Sequence, residues 1–105
     1  MTLNEYQDLM LKTKKAKGLY YTGIALAGEV GEVCNEIKKW DRDDYQVMTE
    51  ERHTKLVYEL GDAMWYLASL ADDLGVSLEE VARRNIRKLE ERYLHKQRAD
   101  AGVIG

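Results

Sequence analysis

The chain has 105 residues, the size of one domain with a single small core. Its 45% hydrophobic and 33% charged residues mark it as globular rather than disordered, and a net charge of -3 argues against a nucleic-acid binder that works by counterion release. The one cysteine, Cys34, excludes an intrachain disulfide and a cysteine-based zinc site, no apolar run reaches the ~18 residues of a membrane span, and MTLNEYQDLM has no signal-peptide pattern; a soluble cytoplasmic protein that binds no membrane is expected.

Four helices are predicted, in a chain without proline. Thr2 with Glu5 forms a capping-box signature for the first, which carries Tyr6, Leu9 and Met10 on one face and is expected to end near Gly18. The second runs from about Tyr20 to Trp40, with Ile24, Ala27, Val30, Val33, Cys34 and Ile37 at helical period. The aperiodic, charged stretch Asp41 to Met48 reads as the long loop. Thr49 caps a third helix, with Glu50 and Glu51 in its first turn and Leu56, Leu60, Met64, Leu67, Ala71 and Leu74 along it; Gly75 terminates it. Ser77 with Glu80 opens a fourth, through Val81, Ile86, Leu89 and Tyr93 to roughly Arg98, and the tail from about residue 99 is expected to fray. No strand alternation or linker competes. The expected fold is all-α, one domain over residues 1–105, an antiparallel bundle of about four helices. Apolar residues on more than one side of the second and third helices predict completion by oligomerisation.

Chemistry enters through the acids. Of the 19 acidic residues, Glu29/Glu32 and Glu59/Asp62 stand one helical turn apart on the most apolar helices, flanked by Gly28, Gly31 and Gly61. Carboxylates in apolar surroundings require pairing or a cation, and a glycine inside a helix costs about 0.5–1 kcal/mol, which a close approach of helices or ligand would offset. If the two helices cross at these glycines, four carboxylates converge, and oxygen-only ligands select Mg²⁺ or Mn²⁺ over zinc. The bland reading is surface acids balanced by nearby Lys and Arg. Glu36 extends the same face and belongs either to the metal site or to an ion pair with Lys38 or Lys39. Asn85, Lys88 and Arg92 share a face of the fourth helix, either as a phosphate-binding stripe or as partners of Glu90 and Glu91. Cys34 is expected as a core thiol and His53 at the surface. Met64, Trp65 and Tyr66 are expected in the core or an interface, with Trp40, Tyr20 and Tyr21 open to stacking on a base.

Taken together, G-E-V-G-E at 28–32, E-L-G-D at 59–62 followed by A-M-W-Y-L-A, and N-I-R-K-L-E-E-R at 85–92 resemble the MazG-like nucleoside triphosphate pyrophosphohydrolases, in particular the small phage-type members, to which Tyr6-Gln7 and Thr13 are also similar. The resemblance covers residues 1 to about 93; the continuation LHKQRADAGVIG departs from relatives that continue with proline and glycine. It implies that Glu29, Glu32, Glu59 and Asp62 hold Mg²⁺, that Lys88 and Arg92 contact the triphosphate with Asn85 nearby, and that the chain is a homodimer or homotetramer. The implied reaction is hydrolysis of a nucleoside triphosphate, a dNTP or a non-standard one, to monophosphate and pyrophosphate, with Glu32 or Glu36 taking the proton of the attacking water. The alternative is a non-catalytic helical module that senses nucleotide or binds a protein.

Overall fold

The structure, a computed structural model, describes residues 1–15 and 18–100. It contains four helices and, among the described residues, no strand: α1 (Leu3–Leu11), α2 (Leu19–Arg42), α3 (Glu50–Asp73) and α4 (Leu78–Asp100).

Local chemistry sets the ends. The Thr2 hydroxyl accepts from the Glu5 N–H while the Glu5 carboxylate accepts from the Thr2 N–H, both at 3.1 Å, so the first capping box is complete. α1 then stops at Leu11, well short of Gly18. The N–H groups of Lys12, Thr13 and Lys14 turn to carbonyls three residues back, and the Thr13 hydroxyl donates to the Met10 carbonyl at 2.7 Å. This tight turn redirects the chain and delivers Lys14 to the far end of α3. α2 begins after Gly18, whose φ of 126° suits only glycine, and continues two residues past Trp40. The loop to α3 is correspondingly shorter than predicted and contains two consecutive left-handed residues, Tyr45 and Gln46. Thr49 caps α3 through the Arg52 N–H at 3.1 Å. At its other end Gly75 (φ 75°) donates to the Asp72 carbonyl and Val76 to the Ala71 carbonyl, a Schellman motif. Ser77 accepts from the Glu80 N–H at 3.0 Å, but the Glu80 carboxylate turns to Arg84, so this capping box is half formed.

At 24 residues each, α2 and α3 are about 36 Å long. They form an antiparallel hairpin: Thr22 meets Asp73 at one end and Glu36 meets Arg52 toward the other. α1 lies against α3 and α4 at the Asp73 end. Gln7, buried there, pins three helices at once: its amide donates to the Ala68 carbonyl of α3 at 3.3 Å, and its side-chain oxygen accepts the Leu78 N–H that opens α4 at 2.7 Å.

α4 packs on α1 and α3 but not on α2, and from Arg83 to Gln97 it is exposed throughout. The buried apolar residues among those described are only Met10, Ala63, Ala68 and Ala71. Ile24, Val30 and Ile37 of α2, Val57, Leu60 and Leu67 of α3, and Ile86 and Leu89 of α4 remain about half exposed. Cys34, expected in the core, lies on the same uncovered surface of α2. The radius of gyration is 18.2 Å, against about 13 Å for a compact chain of this length. The all-α reading holds, with the helices deployed as a hairpin plus a projecting arm. α4 remains helical to Asp100; the rest of the expected frayed tail, residues 101–105, lies outside the described residues. No described helix is long and apolar enough to cross a membrane.

Candidate metal centre

Midway along the hairpin, Glu29 of α2 faces Glu59 and Asp62 of α3. One carboxylate oxygen from each lies within 4.8 Å of the others. Glu59 and Asp62 project together because they are one turn apart on α3. Glu32, one turn beyond Glu29, is exposed and outside this trio. Burial, then the charges of Asp62, Glu32, Glu29 and Glu36, pushes the Glu59 carboxyl above its ordinary value. Among the described residues no Lys, Arg or His forms an ion pair with Glu29, Glu59 or Asp62. Carboxylates gathered without a cation repel one another, and an oxygen-only donor set with one more acid in reach fits a hard divalent ion.

Gly28, Gly31 and Gly61 do not bring the helices together. A Cβ built on any of them would meet nothing within 4 Å, and all three are exposed. The carboxylates converge through their own length across the hairpin, leaving the glycine surfaces open.

Glu36 is placed differently. It is buried, pairs closely with Arg52 of α3, and lies 3.7 Å from Lys39. Arg52 also holds Asp44 of the connecting loop at 2.7 Å. The Arg52 contact, foremost, holds the Glu36 carboxyl below its usual value. Of the two alternatives read from sequence the structure places Glu36 in an ion pair, with Lys39 as one partner. Its principal partner, Arg52, was missed because it comes from the other helix.

Aromatic groups adjoin the acids. A cavity of about 340 Å³ is lined by Glu29, Asp62, Trp65 and Tyr66. Trp65 and Tyr66 meet edge to face, with centroids 4.9 Å apart at 75°, and the Trp65 indole N–H donates to the Thr13 hydroxyl at 2.9 Å. Burial, then neighbouring Tyr21, Glu29 and Asp62, raises the Tyr66 phenol above its ordinary value; burial and Asp62 do the same to Tyr6. Expected in the core or an interface, Trp65 and Tyr66 are half-buried in the single chain, outside its core, and wall a cavity at the acids. Period alone does not distinguish a residue facing the core from one facing a cleft beside it.

Nothing in the described structure joins Asn85, Lys88 or Arg92 to the carboxylates. All three are exposed on the arm of α4 that leaves the hairpin. Nor do Lys88 and Arg92 pair with Glu90 or Glu91; the α4 ion pairs among the described residues are Arg83–Glu79 and Arg84–Glu80.

Residues 21–97 match the family model described as the MazG nucleotide pyrophosphohydrolase domain. The chain is 46% identical over 88 residues to the Gene 37 protein of Mycobacterium phage L5, covering 84% of this chain and 72% of that one. It is 35% identical over 75 residues to the uncharacterized protein YvdC of Bacillus subtilis (strain 168), covering 67% and 71% respectively. No solved structure matches significantly.

Proposed function

We propose, from the premise that the chain belongs to the MazG nucleotide pyrophosphohydrolase family, that it hydrolyses a nucleoside triphosphate to the monophosphate and pyrophosphate with Mg²⁺ or Mn²⁺ held at Glu29, Glu59 and Asp62 and completed by Glu32. The observation that carries this reading is the trio of carboxylates converging across the hairpin with no ion pair to any of them among the described residues. A divalent ion bound there would offset the acids, draw in the phosphates and polarise the α-phosphate.

The residues divide the remaining work. Water attacks the α-phosphorus, the bond to the α–β bridging oxygen breaks, and that oxygen leaves with pyrophosphate. The water's proton goes to a carboxylate, and Glu32 suits this better than Glu36. Glu32 is exposed beside the trio, whereas Glu36 is engaged by Arg52 and Lys39 and held at low basicity. Lys88 and Arg92, in no ion pair among the described residues, carry positive charge suited to a triphosphate, with Asn85 on the same face.

Because α4 does not pack on α2 within one chain, this assignment goes with a homodimer or homotetramer in which α4 of one copy serves the acids of another. The exposed apolar surfaces of α2, α3 and α4 and the extended shape support such an assembly. Phosphorus NMR on a panel of nucleoside triphosphates with Mg²⁺ tests the reaction: pyrophosphate is the expected first product, with no turnover in excess chelator. Orthophosphate and a nucleoside diphosphate appearing first, or turnover that survives the chelator, overturn it.

A further inference from the structure

The α4 arm is exposed from Arg83 to Gln97, so within one chain its direction is set where it starts, against α1 and α3. At that elbow Gly75 ends α3 and Ser77 caps α4, both through bonds to residues nearby in sequence. Two ties come from far away in the chain, and both belong to α1. The buried Gln7 amide donates to the Ala68 carbonyl of α3 at 3.3 Å, and its oxygen accepts the Leu78 N–H of α4 at 2.7 Å. Beside it the Asn4 amide donates to Glu79 at 2.7 Å, on the exposed side of the elbow. We propose that Gln7 is a positioning residue: by tying α3 to the first residue of α4 it aims the arm, and so places Lys88 and Arg92 at the phosphates of the substrate. The inference rests on the reading above that these two side chains bind the triphosphate.

Leverage makes the elbow matter. α4 begins at Leu78, and at a rise of about 1.5 Å per residue Lys88 lies about 15 Å and Arg92 about 21 Å along it. A swing of about 10° at the elbow therefore carries Arg92 about 4 Å, whereas a misplacement of about 1 Å can cost a reaction about a hundredfold. The residue type suits the task. An amide holds a donor and an acceptor in one plane, so the two bonds of Gln7 fix Ala68 and Leu78 relative to each other. An apolar side chain of the same length would fill the space at less desolvation cost but would fix neither. Both bonds of this buried amide are spent outside α1, one on each side of the elbow.

The test reads the arm and the reaction separately. Spin labels at Glu51→Cys on α3 and Glu91→Cys on α4, both exposed positions, are placed in a Cys34→Ser background and diluted into unlabelled protein, so that they report a distance within one chain. One narrow distance is expected with Gln7 present, and a broadened or shifted one in Gln7→Met. Gln7→Glu keeps an oxygen for the Leu78 N–H, at a helix N-terminus where negative charge is favoured, and is expected to restore the narrow distance. In nucleoside triphosphate hydrolysis Gln7→Met is expected to lose about tenfold or more, with Mg²⁺ affinity unchanged by calorimetry. Added to Lys88→Ala/Arg92→Ala it is expected to cost nothing further. A broad distance with Gln7 present, the same narrow distance in Gln7→Met, or a broad one in Gln7→Glu overturns the proposal. So do losses that multiply in the triple variant, which would make Gln7 a residue of the fold alone. If Lys88→Ala/Arg92→Ala turns over as fast as wild type, the phosphate role of α4 falls and the catalytic half of the proposal falls with it, whatever the labels show.

Discussion

Two acidic clusters on the same hairpin are treated in opposite ways. At the end where α1 joins, Asp72 and Asp73 share the Lys14 ammonium, at 3.0 and 2.6 Å, and Asp73 also accepts from Thr22. Midway along, Glu29, Glu59 and Asp62 come together with no basic partner among the described residues. Lys14, then Thr22, holds the Asp73 carboxyl below its ordinary value, while burial and the surrounding acids raise that of Glu59. The first cluster joins elements of the fold. The second leaves negative charge unspent, the condition a cation site requires. Acid content alone would rank the two alike; the partner distinguishes them.

Exchanging the character of the clusters should therefore have opposite consequences. Glu59→Gln removes charge from the uncompensated cluster and should lower turnover by about a hundredfold or more, with no loss of thermal midpoint in chelator and weaker Mg²⁺ binding by calorimetry. Lys14→Met strips the cation from Asp72 and Asp73 and should lower the thermal midpoint by about 10 °C. Retained activity in the first variant, or an unchanged midpoint in the second, would erase the contrast.

The same comparison predicts a direction with pH. Asp73 sits below its ordinary value when folded, so its contribution is complete above the unfolded value of 3.8 and fades as pH falls through the lower folded one. For Lys14, burial alone would lower the pKa, but the bonds to Asp73 and Asp72 prevail and hold it above 10.5. Its contribution is complete below 10.5 and fades as pH rises through the folded value. Thermal melts of wild type and Lys14→Met should thus differ most in the broad middle range and converge at both extremes. A difference growing below pH 3 would contradict this.

A smaller effect concerns the α4 arm. Lys88→Ala and Arg92→Ala should each reduce turnover by about tenfold, more for Arg92 if its contact is bidentate, with the melting curve unchanged because exposed charges add little to stability. If α4 of one copy serves the acids of another, mixing Arg92→Ala with Glu59→Gln should restore part of the activity. Failure to complement would return these residues to their own chain's surface.

Much of this was legible in order along the chain. The caps at Thr2, Thr49 and Ser77 and the stop at Gly75 depend on hydrogen bonds between residues three to five apart, so sequence spacing reports them. The convergence of Glu29 with Glu59 and Asp62 was anticipated from two i,i+3 pairs on apolar helices, although through the wrong device: the glycines credited with the approach face open space. The end of α1 was misjudged because its stop comes from Thr13 and from the pull of Lys14 toward α3, a partner 58 residues away in sequence.

By itself, then, the sequence determined the helical class, most of the boundaries, and which acids share a helix face, because these follow from local hydrogen bonding and the period of the α-helix. Only the tertiary structure decided which acids are paired and which are not, that Glu36 belongs to Arg52, that Gln7 fastens α1 to α3 and α4, and that Trp65 and Tyr66 wall a cleft. Those facts depend on which helix faces which and at what height along the hairpin, and charge neutralisation acts through space between side chains that the chain order keeps far apart.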